Sequence, residues 1–138
     1  MDFKIRTYNL KTKTYEIREY FIDVYGLIWN SDKSLPKDVI RECWIGLKDR
    51  EGTEIYEGDI IEISWGDGTK VECFVFWNPN FCSFDFAHLE RFREIQREKP
   101  EISNLENALE YSHYSGPKVS EAERYRVIGN IHEEGIEI

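Results

Sequence analysis

The stretch Asp59-Ile60-Ile61-Glu62-Ile63-Ser64-Trp65-Gly66-Asp67-Gly68-Thr69-Lys70-Val71-Glu72-Cys73-Phe74-Val75-Phe76-Trp77 decides the fold. Ile61, Ile63 and Trp65 alternate with Glu62 and Ser64, the period-2 pattern of a strand with one buried face. Gly66-Asp67-Gly68 follows; such residues accept left-handed backbone, so the chain turns back in a tight hairpin. The returning strand, Lys70 to Trp77, puts Val71, Cys73, Val75 and Trp77 on one face and Phe74 and Phe76 on the other. Apolar residues on both faces predict cover on both sides. Asn78-Pro79-Asn80 ends the strand, because proline has no N–H to give to a ladder.

Upstream, Phe3, Ile5 and Thr7 alternate with Lys4, Arg6 and Tyr8, and a similar run covers residues 15–22. The short polar link Asn9 to Lys13 joins them, which predicts a β-hairpin. Tyr25 to Trp29 and Arg41 to Ile45 read as further strands, with Asn30 to Lys37 a loop. Downstream the period changes. Phe86, Leu89, Phe92 and Ile95 recur at helical pitch, predicting a helix over Phe86–Glu98 with Asp85 as N-cap and Pro100 as its stop. Its glutamates and arginines pair Glu90 with Arg93 and Glu94 with Arg97 at i,i+3. A second helix is expected over Asn104–Tyr111, capped by Ser103, with Leu105, Ala108 and Leu109 inward. Arg124 to His132 reads as a last strand, and residues 133–138 as an acidic tail. The expected fold is mainly β (β-rich α+β): one domain over 1–138, built as a small bent sheet or SH3-like barrel. The N-terminal hairpin lies beside it, and a helical insertion occupies about 84–118.

The 138 residues are 41% hydrophobic and 33% charged, which suits a globular chain able to bury a core. Eighteen Lys and Arg stand against 27 Asp and Glu, a net charge of -9. That field opposes nucleic-acid phosphates and makes a nucleic-acid partner unexpected. No apolar run approaches a membrane span, and residues 1–6 hold no apolar signal core. Three cysteines, Cys43, Cys73 and Cys82, form no disulfide framework, and a reducing cytoplasm is expected. Their spacing with His88 and His132 matches no compact zinc pattern, so neither metal nor cofactor is expected.

The densest polar run lies just before the deciding hairpin. Gly46, Gly52 and Gly58 punctuate Lys48, Asp49, Glu54, Tyr56, Glu57 and Asp59. Phosphate-cradling glycines sit where a strand enters a helix; these precede strands, so they read as turn residues. A Glu-Gly-Asp turn lets the Asp carboxylate take the turn's own amides, which gives Asp59 a structural duty. Lys48, Asp49 and Tyr56 have less obvious ones. Polar loops beside a sheet serve recognition, so Lys48, Asp49, Tyr56 and Asp59 are the candidate binding residues. Cys82, Asp85 and His88 assemble no catalytic set, because triads are defined by geometry and not by spacing. No catalytic residue is assigned and an enzyme is not expected.

The run Gly46-Leu47-Lys48-Asp49-x-x-Gly52-x-Glu54-Ile55-Tyr56-Glu57-Gly58-Asp59-Ile60 strongly resembles the signature of the YopX family of phage and prophage proteins. Lys4 to Tyr15 resembles that family's opening segment, and Val127 to Glu133 its closing strand. The chain departs from the pattern at Thr7-Tyr8, where the family has an aromatic-rich strand containing tryptophan, and residues 84–122 match nothing in it. The resemblance implies a compact β domain and a phage or prophage origin, and it carries no catalytic residues over. The expected role is a non-catalytic accessory protein that binds a host or phage macromolecule in the bacterial cytoplasm. Alternatives are a small-ligand or nucleotide binder using the Gly46–Asp59 loop, and a nucleic-acid binder or acidic DNA mimic. Oligomeric state stays open, a homo-oligomer included.

Overall fold

The computed structural model describes residues 5–16, 21–22, 28–29, 38–112 and 116–138. The fold is mostly β: two antiparallel sheets, one a curled half-barrel, with a couple of short helices. Contacts divide the chain into two compact units, Met1–Cys43 and Trp44–Ile138. Residues 1–43 carry eight Lys and Arg against seven Asp and Glu, whereas residues 44–138 carry ten against twenty. All of the net acidity therefore resides in the second unit.

In the first unit, β1 (Ile5–Asn9) pairs antiparallel with β2 (Thr14–Glu16), Tyr8 opposite Tyr15. On its other side β1 pairs with the opening residues of β5 (Val39–Lys48), from Ile5 opposite Cys43 to Asn9 opposite Val39. Asn9 turns the hairpin, its Oδ1 accepting the Lys11 and Thr12 amides at 2.9 and 3.0 Å. Glu42 is buried, and its Oε1 accepts Arg6 Nε–H at 3.0 Å. The Arg6 guanidinium also lies 4.2 Å from the Tyr15 ring centroid, where cation and π-face attract. Two short strands, β3 (Phe21–Ile22) and β4 (Ile28–Trp29), pair antiparallel. The expected strands over 15–22 and 25–29 fall partly on residues 17–20 and 25–27, and the expected loop over 30–37 wholly, outside the described residues.

The second unit is organised by one sheet of order β10-β7-β8-β9. Its strands are β7 (Asp59–Ser64), β8 (Lys70–Asn78), β9 (Ser83–His88) and β10 (Tyr125–Asn130). The deciding stretch folds as read: β7 and β8 pair from Ile60 opposite Phe74 to Ser64 opposite Lys70. Asp67 Oδ1 accepts the Thr69 amide at 2.9 Å in the turn between them. Both faces of β8 are covered, as its two-sided apolar pattern requires. Phe74 and Phe76 join Ile60, Ala87, Leu89, Phe92, Ala108, Ile131 and Ile136 in one core. Cys73 and Val75 join Ile55, Ile61, Ile63, Phe86 and Tyr125 in the other.

Helix α1 (Leu89–Glu98) and α2 (Asn104–Glu110) pack on the first of these cores through Leu89, Phe92 and Ala108. The expected start of α1 at Phe86 and cap at Asp85 are corrected. Residues 83–88 are a strand, and His88 caps the helix, its Nδ1 accepting the Arg91 amide. The reason is pairing: the strand hydrogen-bonds along β8 from His88 opposite Cys73 to Ser83 opposite Asn78. Helical cover therefore begins at Leu89 and not near residue 84. The helix pairs Arg91 with Glu94 at 2.8 Å, and Arg93 reaches Glu134 instead of Glu90. In α2, Ser103 caps as expected. Leu105 is exposed, and Asn107 turns inward, its Nδ2 donating to the Phe92 carbonyl at 2.9 Å. The acidic tail folds back: Ile136 is buried, and Asn104 Nδ2 donates to the Glu137 carbonyl. A 3-10 turn at Val119–Arg124 precedes β10.

Candidate functional site

The closing residues of β5 and the short strand β6 (Glu54–Tyr56) form a hairpin of the second unit, with Ile45, Leu47 and Ile55 turned into the core. Trp44 stands opposite Tyr56 and Lys48 opposite Glu54, the register shifting in between. Gly46, expected in a turn, instead lies within β5 at that shift with φ +88°, a backbone that L side chains resist and that an irregularity in the ladder demands. Gly52 and Gly58 also have positive φ, in the turns on either side of β6.

The four candidate residues separate into two pairs. Asp49 is 6% exposed. Its Oδ1 accepts the Glu51 and Thr53 amides, each at 2.9 Å, and its Oδ2 accepts the Val127 amide of β10 at 2.9 Å. The Arg50 amide donates to the Tyr125 carbonyl at 3.0 Å. This loop therefore satisfies part of the open edge of β10, which would otherwise template foreign strands. Asp59 is buried too, and its Oδ2 accepts the Tyr56 amide at 2.8 Å. Lys48 and Tyr56 share the opposite side of the hairpin from Ile55. Lys48 is exposed, and the Tyr56 hydroxyl donates to Glu54 Oε2 at 3.0 Å.

A second hairpin presents a different surface. The connection from β8 to β9 is pinned by Asn78, which is 1% exposed. Its Oδ1 accepts the Asn80 amide at 3.0 Å, and its Nδ2 donates to Asp85 Oδ2 at 3.2 Å. Beyond this anchor, Phe81 is 72% and Trp77 43% exposed. Trp77 meets Phe84 across the hairpin edge-to-face at 5.2 Å. Sequence reading passed over this tip, treating Asn78-Pro79-Asn80 only as a strand stop. The available signal was Phe81 itself, an aromatic placed inside a turn.

Two clefts open elsewhere. One, of about 590 Å³, lies between the start of β8 and α1, lined by Lys70, Glu72, His88, Glu90, Arg93 and Arg97. The other, of about 550 Å³, lies between the helices, with Ile95, Ile102, Leu109 and Tyr111 on its walls. Cys43, Cys73 and Cys82 form no disulfide. Burial pushes the Cys73 thiol up to about 12, as desolvation disfavours the thiolate. Burial also raises the Tyr125 phenol, against the opposing hydrogen bond from the Lys118 amide. Among the described residues, no three His, Cys, Asp or Glu side chains are grouped to hold a metal ion. No helix among them is long and apolar enough to cross a membrane.

The family model described as YopX protein matches residues 8–136. The chain belongs to the YopX family. That match takes in both hairpins of this YopX chain, the aromatic tip and the turn around Asp49 alike. No curated protein matches the chain.

Proposed function

We propose that this YopX chain is a phage- or prophage-encoded accessory protein that acts without catalysis, by binding a host or phage protein in the bacterial cytoplasm. The observation that carries this reading is the β8–β9 tip, where Phe81 stands in solvent on a turn anchored by buried Asn78 and Trp77, at the end of β8, is partly exposed beside it. Leaving a phenylalanine ring in water forgoes about 1.5–3 kcal/mol of burial. Aromatic side chains on ordered supports are the residues that anchor protein interfaces. Family membership supports the phage or prophage origin.

Affinity capture from the bacterial host tests it, with the native chain and Phe81→Ser side by side. The expected result is a defined partner held by the native chain and lost by the variant. Turnover by the pure protein, or a partner retained equally by Phe81→Ser, overturns it. A second reading, acidic mimicry of DNA, is favoured by the twenty carboxylates against ten cations in residues 44–138. Competition with duplex DNA for a basic DNA-binding protein tests that one.

A further inference from the structure

Residues 44–138 hold only ten Lys and Arg, yet three of them, Lys70, Arg93 and Arg97, line one cleft. Arg93 and Arg97 are one helical turn apart on α1, so their guanidinium groups project from the same face. Lys70, the first residue of β8, adds an ammonium to the lining. The cleft volume, about 590 Å³, lies within the range of small-molecule sites, about 300–1,000 Å³.

The donor chemistry is consistent. His88 Nδ1 accepts the Arg91 amide at 3.3 Å, so in the neutral ring the proton sits on Nε2, which is then a donor. Glu134 engages Arg93 at one terminal nitrogen, and Glu62 lies 3.9 Å from Lys70. A guanidinium has five N–H donors and an ammonium three, so neither contact exhausts its cation. Among the described residues Arg97 makes no ion pair. Glu72 and Glu90 bring carboxylate acceptors into the same lining. Clustered donors with acceptors beside them suit a ligand that has an anionic head and hydroxyl donors on its body. The planar fork of arginine matches phosphate oxygens two at a time. The acidity of the surrounding unit repels a nucleic-acid strand, but a single phosphate group reaches a local cluster of cations.

We propose that this cleft binds a small phosphate ester bearing hydroxyl groups, the shared chemistry of a sugar phosphate and a nucleotide. Arg97, Arg93 and Lys70 hold the phosphate, and Glu72 and Glu90 accept from the hydroxyls. Amide chemical shifts of the full chain test this by titration with ribose 5-phosphate, adenosine 5′-monophosphate, adenosine and inorganic phosphate. The expected result is saturable shifts at residues 70–72 and 88–97 with either ester. Tighter binding of the monophosphate nucleotide than of ribose 5-phosphate assigns the site to nucleotides, and the reverse to sugar phosphates. Arg97→Gln, an exposed position whose folding the same spectrum reports, weakens the ester at least about tenfold. Glu90→Ala, which removes the acceptor, weakens the ester relative to inorganic phosphate. The proposal is overturned if neither ester gives saturable shifts at millimolar concentration. It is equally overturned if inorganic phosphate or adenosine binds as well as the esters, or if Arg97→Gln binds like the native chain.

Discussion

Two hairpin connections of the second unit, the turn at residues 49–53 and the tip at residues 79–82, invert what their side chains suggest. The first is polar and glycine-bearing, yet its carboxylate is consumed by three backbone amides, those of Glu51, Thr53 and Val127. The second is mostly uncharged and small, yet it leaves Phe81 72% exposed. The difference follows from what a turn needs. Backbone N–H groups that leave a ladder need acceptors, so a carboxylate at a turn is taken by the scaffold. A phenyl ring cannot serve those amides, and at a tip with no core beneath it stays in solvent.

The sharpest break of this comparison is chemical. Cys82 on the tip is exposed, and Cys73 within strand β8 is fully buried. In the native state at mildly alkaline pH, iodoacetamide is expected to label Cys82 and spare Cys73, read by peptide mass spectrometry. Because burial pushes the folded Cys73 thiol up to about 12 from an ordinary value of 9.0, the unfolded chain releases its proton first. Stability is then expected to fall as pH rises from about 9 towards 12. Native labelling of Cys73 at a rate matching Cys82 would refute the burial.

Asp49→Ala comes next. It removes the acceptor of three amides and uncovers the Val127 amide on β10. The expected loss is about 3 kcal/mol in urea unfolding. A loss below about 1 kcal/mol would mean that the carboxylate is not a scaffold element. Gly52→Ala is smaller: nothing stands within 4 Å of the added Cβ, but φ is +82°, so only the backbone cost of about 1 kcal/mol applies. Trp77→Ala removes the edge-to-face contact with Phe84, worth about 0.5–1.5 kcal/mol. Phe81→Ser is expected to change stability by less than about 0.5 kcal/mol while abolishing partner capture. A large destabilisation there would place Phe81 in the core and remove the contrast between the two connections.

The errors of sequence reading have a common cause. Phe86, Leu89, Phe92 and Ile95 fit a helical stripe, but Phe84 and Phe86 also alternate with Asp85 and Ala87 as a strand does. Both patterns were present, and hydrogen bonding to β8 selected the strand up to His88. The three-residue strand β6 is too short for any periodicity to register. Leu105 is expected inward in α2 yet is exposed, and polar Asn107 takes the buried side because its amide finds the Phe92 carbonyl inside the core. Of the candidate site, Asp59's duty toward the turn amides was legible, because Tyr56 is three residues away. The tie from Asp49 to Val127 was not, because it spans 78 residues.

By itself the sequence determined the β7–β8 hairpin, the two-sided burial of β8, the positive φ at Gly52, the cap at Ser103 and the family. These depend on alternation and turn chemistry, which act over a few residues. Only the tertiary structure decided that Asp49 closes a sheet edge, that the strand runs to His88, that Ile136 folds back into the core, and that Lys70 meets Arg93 and Arg97 at one cleft. Each depends on residues far apart in the chain, and local pattern holds no information about which distant partner supplies a missing acceptor or covers an apolar face.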